Sequence, residues 1–279
     1  MLGVCGYPVE HSLSPAMHNA AIASLGADYV YVPFSVRPEE VGSAVGAMRP
    51  LGIVGLNLTI PHKERVLPYL DCIDPDAQRI GAVNTVFNDG GVLRGFNTDG
   101  HGFAAPLSDM GVALSGLRTL VLGAGGAARS IVFLLAAREA RVTLANRTLA
   151  RAERLARDVE EATGARVECI ALSDGAAVAG AAADAELVVN TTSVGMWPHE
   201  NDDLPVPREC LHTGQVVYDL VYRPLETRLL AAAGASGART LNGVRMLVHQ
   251  GAASFELWTG IRPPVDVMET AVLARLGSK

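Results

Sequence analysis

An α/β fold in two domains is predicted by three features of the sequence. Short apolar runs alternate with longer helix-like stretches along nearly the whole chain, which is the rhythm of parallel βαβ units. A glycine turn, Gly123-Ala124-Gly125-Gly126-Ala127-Ala128, stands between a strand-like and a helix-like run, so a second series of units starts mid-chain. The length of 279 residues favours two domains of ordinary size over one.

The elements follow in order. LGVCGYP reads as a buried strand, Pro15 to Leu25 as a helix closed by Gly26, and YVYVPFSV as a second strand. PEEVGSAVGAMR reads as a helix, GIVGLNLTI as a third strand and HKERVLPYL as a short helix. AVNTVFNDGGVLRGFNTD reads as a hairpin, because Asn88-Asp89-Gly90-Gly91 is strong turn chemistry between β-rich runs. LRTLVLGAGGAARSIVFLLAAREARVTLANRT then supplies strand, glycine turn, helix and strand within one βαβ length. VECIALSD, ELVVNTT and QVVYDLVY are further strands, with an alanine-rich helix at Ala176 to Ala185. MLVHQGAASFELWTG is an amphipathic helix able to return to the first domain.

Composition narrows the function classes. With 49% hydrophobic and 19% charged residues and a mean hydropathy of +0.24, the chain can bury a sizeable core without metals or disulfides. A net charge of -6, a pI near 5.6 and scattered Lys and Arg argue against nucleic acid or an anionic membrane as the main partner. Cys5, Cys72, Cys169 and Cys210 form no C-x-x-C pair, so no zinc site or disulfide framework is indicated, and a reducing cytoplasm fits best. His11, His18, His62 and His101 lack metal-ligand spacing, and no metal is expected. No signal peptide or membrane-spanning run is visible. The absence of a G-x-S-x-G elbow or a cysteine-histidine signature lowers the case for a hydrolase.

The glycine turn meets the context that a dinucleotide fingerprint requires, strand before and helix after. Gly123 allows the tight turn, Gly125 allows close backbone approach to a pyrophosphate, and the helix N-terminus favours negative charge. About twenty residues on, an acid would bind the ribose 2′-hydroxyl of NAD. Here Asn146-Arg147-Thr148 and then Arg151 occupy that place, and two guanidinium groups suit a 2′-phosphate instead. The competing reading is a solvated helix start, which the helix dipole disfavours for cations.

In the first half, Ser12 and Ser14 point to one side of an extended segment, with Ser14 placed to cap a helix that begins at Pro15. Such a helix start is a site for a carboxylate, although capping alone also accounts for Ser14. In Asn57-Leu-Thr59-Ile-Pro61-His-Lys63 a strand places Asn57 and Thr59 on one face, and Lys63 is expected in the first turn of a helix from Pro61. That field would favour neutral lysine, as a general base requires, though a solvated surface lysine is equally compatible. Asn84 lies in a strand and Asp99 at the end of the hairpin region, where either serves equally as a cap or turn residue.

Taken together and in order, S-L-S-P, N-L-T-I-P-H-K, G-A-V-N-T, N-T-D-G, G-A-G-G-A, N-R-T, N-T-T-S-V-G-M and M-L-V-H-Q resemble shikimate dehydrogenase across nearly the whole chain. The resemblance implies NADP-dependent, reversible reduction of 3-dehydroshikimate to shikimate on the path to aromatic amino acids. It implies a mainly parallel αβα substrate-binding domain at 1–101, completed by the C-terminal helix within 242–279, and a Rossmann-like NADP-binding domain at 102–241. It makes Lys63 and Asp99 the catalytic pair, puts Ser12 and Ser14 on the substrate carboxylate, and Thr59, Asn84, Asp99 and Gln250 around the ring hydroxyls. Tyr222 matches a tyrosine that reaches substrate from the other domain. Gly123, Ala124, Gly125, Gly126 and Ala127 match the pyrophosphate loop, Asn146, Arg147, Thr148 and Arg151 the adenosine phosphate site, and Leu220, Gly243 and Met246 the nicotinamide surroundings. Arg245 departs from the small residue often found there. Segments 101–116 and 236–242 are expected to act as hinges. Shikimate or 3-dehydroshikimate is the expected partner, with no nucleic acid or membrane, and a homodimer left open. Two alternatives stand beside this reading: a broader quinate/shikimate dehydrogenase, and a non-catalytic shikimate-binding sensor on the same scaffold.

Overall fold

The computed structural model describes residues 1–277, and they divide into two compact units. The first comprises Met1–Phe103 with the chain from Leu247 onward, and the second is Ala104–Met246. The sequence reading placed these changes at 101/102 and 241/242.

The first unit contains β1 (Leu2–Gly6), α1 (Ser14–Leu25), β2 (Tyr31–Ser35), α2 (Val41–Gly46), β3 (Gly55–Leu58), β4 (Cys72–Ile73), α3 (Pro75–Ile80), β5 (Thr85–Asp89), β6 (Val92–Phe96) and the start of α4 (Asp99–Asp109). Its sheet runs β2-β1-β3-β5-β6-β4. β1 pairs parallel with β2 and β3, and β4 with β6, whereas β5 pairs antiparallel with β3 and β6, so the sheet is mainly parallel, as expected, and mixed only through β5. The reason is the hairpin: Gly90 at φ 60° and Gly91 at φ 96° form a two-residue left-handed turn that reverses the chain. Trp258 packs with Leu2, Val4, Val9, Ile22, Tyr31 and Phe255 into one of the unit's apolar clusters.

The second unit contains the rest of α4, then β7 (Arg118–Leu122), α5 (Gly126–Ala137), β8 (Arg141–Asn146), α6 (Leu149–Thr163), β9 (Val167–Ala171), α7 (Gly175–Asp184), β10 (Leu187–Asn190), β11 (Val216–Asp219), α8 (Arg228–Ala235) and β12 (Arg239–Leu241). The sheet order is β12-β11-β10-β7-β8-β9, parallel throughout. This is the doubly wound order with its switch point between β7 and β10, where ligands of such sheets bind at the carboxyl ends. α9 (Gly243–Thr259) starts in this unit and ends in the first, where α10 (Val265–Gly277) follows.

Three local expectations are corrected. Ser14 is the first residue of α1 and does not cap it; the N-cap is Leu13, and the Ser12 hydroxyl accepts the Ser14 amide at 3.3 Å. No α-helix follows Pro61: Lys63 lies in a run of turns, and only Leu67–Tyr69 forms a 3₁₀ turn. A helix from Pro61 would carry Pro68 inside it, costing a hydrogen bond and clashing with the carbonyl of Glu64. The second junction lies at Met246/Leu247 inside α9 and not at 236–242, whereas the first, at Phe103/Ala104 inside α4, falls within the expected 101–116.

Candidate active site

In the first unit the carboxyl ends of β1 and β3 and the start of α4 carry most of the predicted substrate residues. Lys63 Nζ lies 2.5 Å from Asp99 Oδ2, with the two side chains 16% and 5% exposed. Asn84 Nδ2 donates to the other carboxylate oxygen, Asp99 Oδ1, at 2.8 Å, and reaches Gln250 Oε1 at 3.3 Å. Lys63, Asp99, Asn84 and Gln250 therefore form one cluster. Each Asp99 oxygen has its own donor, so the carboxylate plane is fixed.

The amide orientations are settled by their neighbours. Thr98 N–H donates to Asn84 Oδ1 at 2.8 Å, which identifies that atom as oxygen and turns Nδ2 towards Asp99. Gln250 Nε2 donates to the Leu247 carbonyl at 2.8 Å, leaving its oxygen for Asn84.

Behind this cluster lies a buried polar network that the sequence reading did not assign to the site. Tyr31 Oη donates to Asn57 Oδ1 at 2.8 Å, and Asn57 Nδ2 donates to Ser254 Oγ at 2.9 Å and Thr85 Oγ1 at 3.2 Å. Ser254 Oγ is 2.7 Å from Thr85 Oγ1 and 3.2 Å from Thr98 Oγ1, and Thr98 Oγ1 accepts from Asn84 at 2.9 Å. Burial pushes the Tyr31 phenol well above its ordinary value, while a hydrogen bond from Ser14 opposes that shift. Thr59 follows β3, its amide bonded to the Cys5 carbonyl at 2.9 Å, and its side chain is part-exposed.

In the second unit the fingerprint turn links β7 to α5. Gly123 has φ 105°, and a Cβ there would meet Thr191 Oγ1 at 2.5 Å, so only glycine fits. Gly125 is the N-cap of α5 and offers no side-chain cap, which leaves the first-turn amides, including Gly126 and Ala127, for an anion. Ala124 is part-buried before them. A Cβ on Gly125 would meet nothing within 4 Å, the open space that a phosphate needs. After β8, Asn146 Nδ2 donates to the Thr148 carbonyl at 2.8 Å, while Arg147, Thr148 and Arg151 are exposed at the start of α6 with no acid beside them in the sequence. No ion pair of either arginine occurs among the described residues.

Leu220 N donates to the Asn190 carbonyl at 2.9 Å, and Gly243 N to the Val221 carbonyl at 3.1 Å. Met246 is buried within the first turn of α9. Tyr222, two residues beyond Leu220, is part-buried, and burial raises its phenol. Arg245 Nη2 pairs with Asp109 Oδ2 at 2.7 Å. No three or more His, Cys, Asp or Glu side chains among the described residues are grouped so as to hold a metal ion, and no described helix is long and apolar enough to cross a membrane.

Known proteins share this arrangement. Residues 4–86 match the shikimate dehydrogenase substrate binding domain, 107–210 the shikimate / quinate 5-dehydrogenase family, and 243–273 the shikimate 5′-dehydrogenase C-terminal domain. The shikimate dehydrogenase (NADP(+)) of Methanopyrus kandleri is 50% identical over 278 residues, 99% of this chain and 96% of the relative. A crystal structure of shikimate dehydrogenase in complex with NADP+ has a TM-score of 0.92 at 41% identity, covering 99% of this chain and 96% of that one. The enzyme of Thermus thermophilus in complex with NADP(H) and shikimate has a TM-score of 0.87 at 41% identity over 98% of both chains. With identity this high along the full length, and with the glycine turn after β7 and the lysine-aspartate pair in place, the chain belongs to the shikimate dehydrogenase family.

Proposed function

We infer that this chain catalyses the reversible, NADP-dependent reduction of 3-dehydroshikimate to shikimate, in the pathway to aromatic amino acids. The observation that carries the mechanism is the Lys63–Asp99 pair at 2.5 Å, backed by Asn84 and Gln250. NADP, when bound, supplies or accepts the hydride. The open turn at Gly123–Ala127 suits its pyrophosphate, and Arg147, Thr148 and Arg151 suit its 2′-phosphate, with Leu220, Gly243 and Met246 around the nicotinamide.

The chain's own residues then manage the substrate and the proton. Ser12 and Ser14, beside the start of α1, bind the carboxylate, and Thr59, Asn84, Asp99 and Gln250 align the ring hydroxyls. Tyr222 also contacts substrate in this reading. In the direction of oxidation, the pair of Lys63 Nζ and Asp99 Oδ2 takes the proton from the reacting hydroxyl, and in reduction returns it. Asn84 keeps Asp99 Oδ1 occupied, so Oδ2 stays with the lysine. The four free thiols suit a cytoplasmic setting.

Absorbance of NADPH during incubation of the protein with shikimate and NADP tests this reading, with quinate and NAD in parallel. Turnover with shikimate and NADP well above the other pairings is expected. Ligand binding without turnover would favour a sensor.

A further inference from the structure

Two loops leave the carboxyl ends of β10 and β11 in the second unit, residues 191–203 and 220–227, and they are tied together at three heights. At the base, Asp219 is fully buried: its Oδ1 accepts from Asn190 Nδ2 at 2.9 Å and from the Val221 amide at 3.1 Å, and its Oδ2 accepts from Thr227 Oγ1 at 2.7 Å. In the middle, the Trp197 amide donates to the Arg223 carbonyl at 2.9 Å, and the Arg223 guanidinium lies 4.4 Å from the centroid of the Trp197 ring. At the rim, Arg228 Nη1 donates to the carbonyls of Asn201 and Asp202 at 2.8 and 2.9 Å.

Tyr222 is the residue between the two inner ties, since Val221 is held by Asp219 and Arg223 by Trp197. A tyrosine on a free loop would lose backbone and side-chain freedom each time it met a ligand, and prior restraint removes part of that cost. We propose that Asp219 and the Trp197–Arg223 stack are positioning residues, holding Tyr222 in the orientation from which it contacts substrate. This rests on the reading above that Tyr222 reaches the substrate. Burial raises the Asp219 carboxyl and its three donors lower it, so the hydrogen bonds at the base work against the cost of burying that group. The stack is the better handle for a test. Trp197 is 41% exposed, so trimming it opens no cavity in the core.

The experiment compares Trp197→Ala, Trp197→Phe, Tyr222→Phe and the double variant Trp197→Ala with Tyr222→Phe in steady-state kinetics, with thermal melts to confirm folding. Trp197→Ala should raise KM for shikimate by about two- to tenfold, with kcat and KM for NADP changing less than about twofold. Trp197→Phe keeps a ring face for the guanidinium and should recover most of the loss. In the Tyr222→Phe background, Trp197→Ala should add little, because both changes act on one contact. Additive losses, an unrescued phenylalanine variant, or an unchanged KM in Trp197→Ala would overturn the proposal. An unaffected Tyr222→Phe would remove its target and overturn it as well, whereas absent turnover by native protein would count against the enzymatic reading itself.

Discussion

Lys63 owes its place to a carboxylate. Without a helix at Pro61, what holds the ammonium is Asp99, one of whose oxygens it meets while Asn84 fixes the other. Lys63→Ala should therefore lower kcat by roughly 10² to 10⁴, the usual worth of general acid-base assistance, with the fold intact. Asp99→Asn should be similarly damaging, and the double variant no worse than either single. Near-normal kcat in the lysine variant would refute the assignment. One hydroxyl behind the pair has a separate effect. Ser254→Ala removes a partner shared by Asn57, Thr85 and Thr98, all buried, and should cost about 1 to 3 kcal/mol of stability in urea titrations. It should also loosen Asn84 and lower kcat/KM for shikimate; unchanged kinetics would mean that the network is structural only.

At the scale of elements, the start of α6 combines two arginines, an exposed threonine and no acid. Arg147→Ala with Arg151→Ala should raise KM for NADP sharply, leave the use of NAD nearly unchanged, and flatten the salt dependence of NADP binding. Equal loss with both cofactors would show that these residues are merely a solvated helix start. The local structure here was legible because a strand end, a turn and a helix start follow one another closely in the sequence. The hairpin was legible for the same reason, its Asn-Asp-Gly-Gly run allowing a left-handed turn. The turns around Lys63 were misread because the weight of Pro61 as a helix starter was set above that of Pro68 as a helix breaker. β4, with two residues, and β12, with three, are too short for alternation to show. The polar network was hidden because Thr85, Thr98 and Ser254 are distant in sequence. One signal was available: Ser254 follows Gln250 by four residues, so both share one face of the apolar helix α9.

On the scale of the whole molecule, His18 sets a limit on acid tolerance. It is fully buried, neither ring nitrogen has a hydrogen-bond partner among the described residues, and it stacks on Tyr31 with centroids 4.1 Å apart. Burial pushes its pKa down to about 3. The unfolded chain, with an ordinary histidine near 6.5, takes up this proton first, so its contribution to stability is full above that pH and drains away as pH falls towards 3. The loss amounts to a few kcal/mol at most, on the order of 1.4 per unit of pH. Burial lowers His62 as well, which adds to the trend. Urea midpoints measured between about pH 7 and about pH 4.5 should decline, and less steeply in His18→Phe, which keeps the stack and removes the titration. Equal slopes would assign the acid loss to other groups.

The first unit is discontinuous in sequence, and this bears on how the protein is made. Leu2, Val4 and Tyr31 leave a ribosome well before their packing partners Phe255 and Trp258, because the whole of Ala104–Met246 lies between them in the chain. Ala104–Met246 is one uninterrupted stretch and can close on itself as soon as it has emerged. Vectorial synthesis therefore completes the second unit first. Meanwhile the β1–β3 core waits, its apolar face open to chaperones, and any premature stop between Met246 and Trp258 leaves a finished cofactor unit attached to a first unit that cannot close.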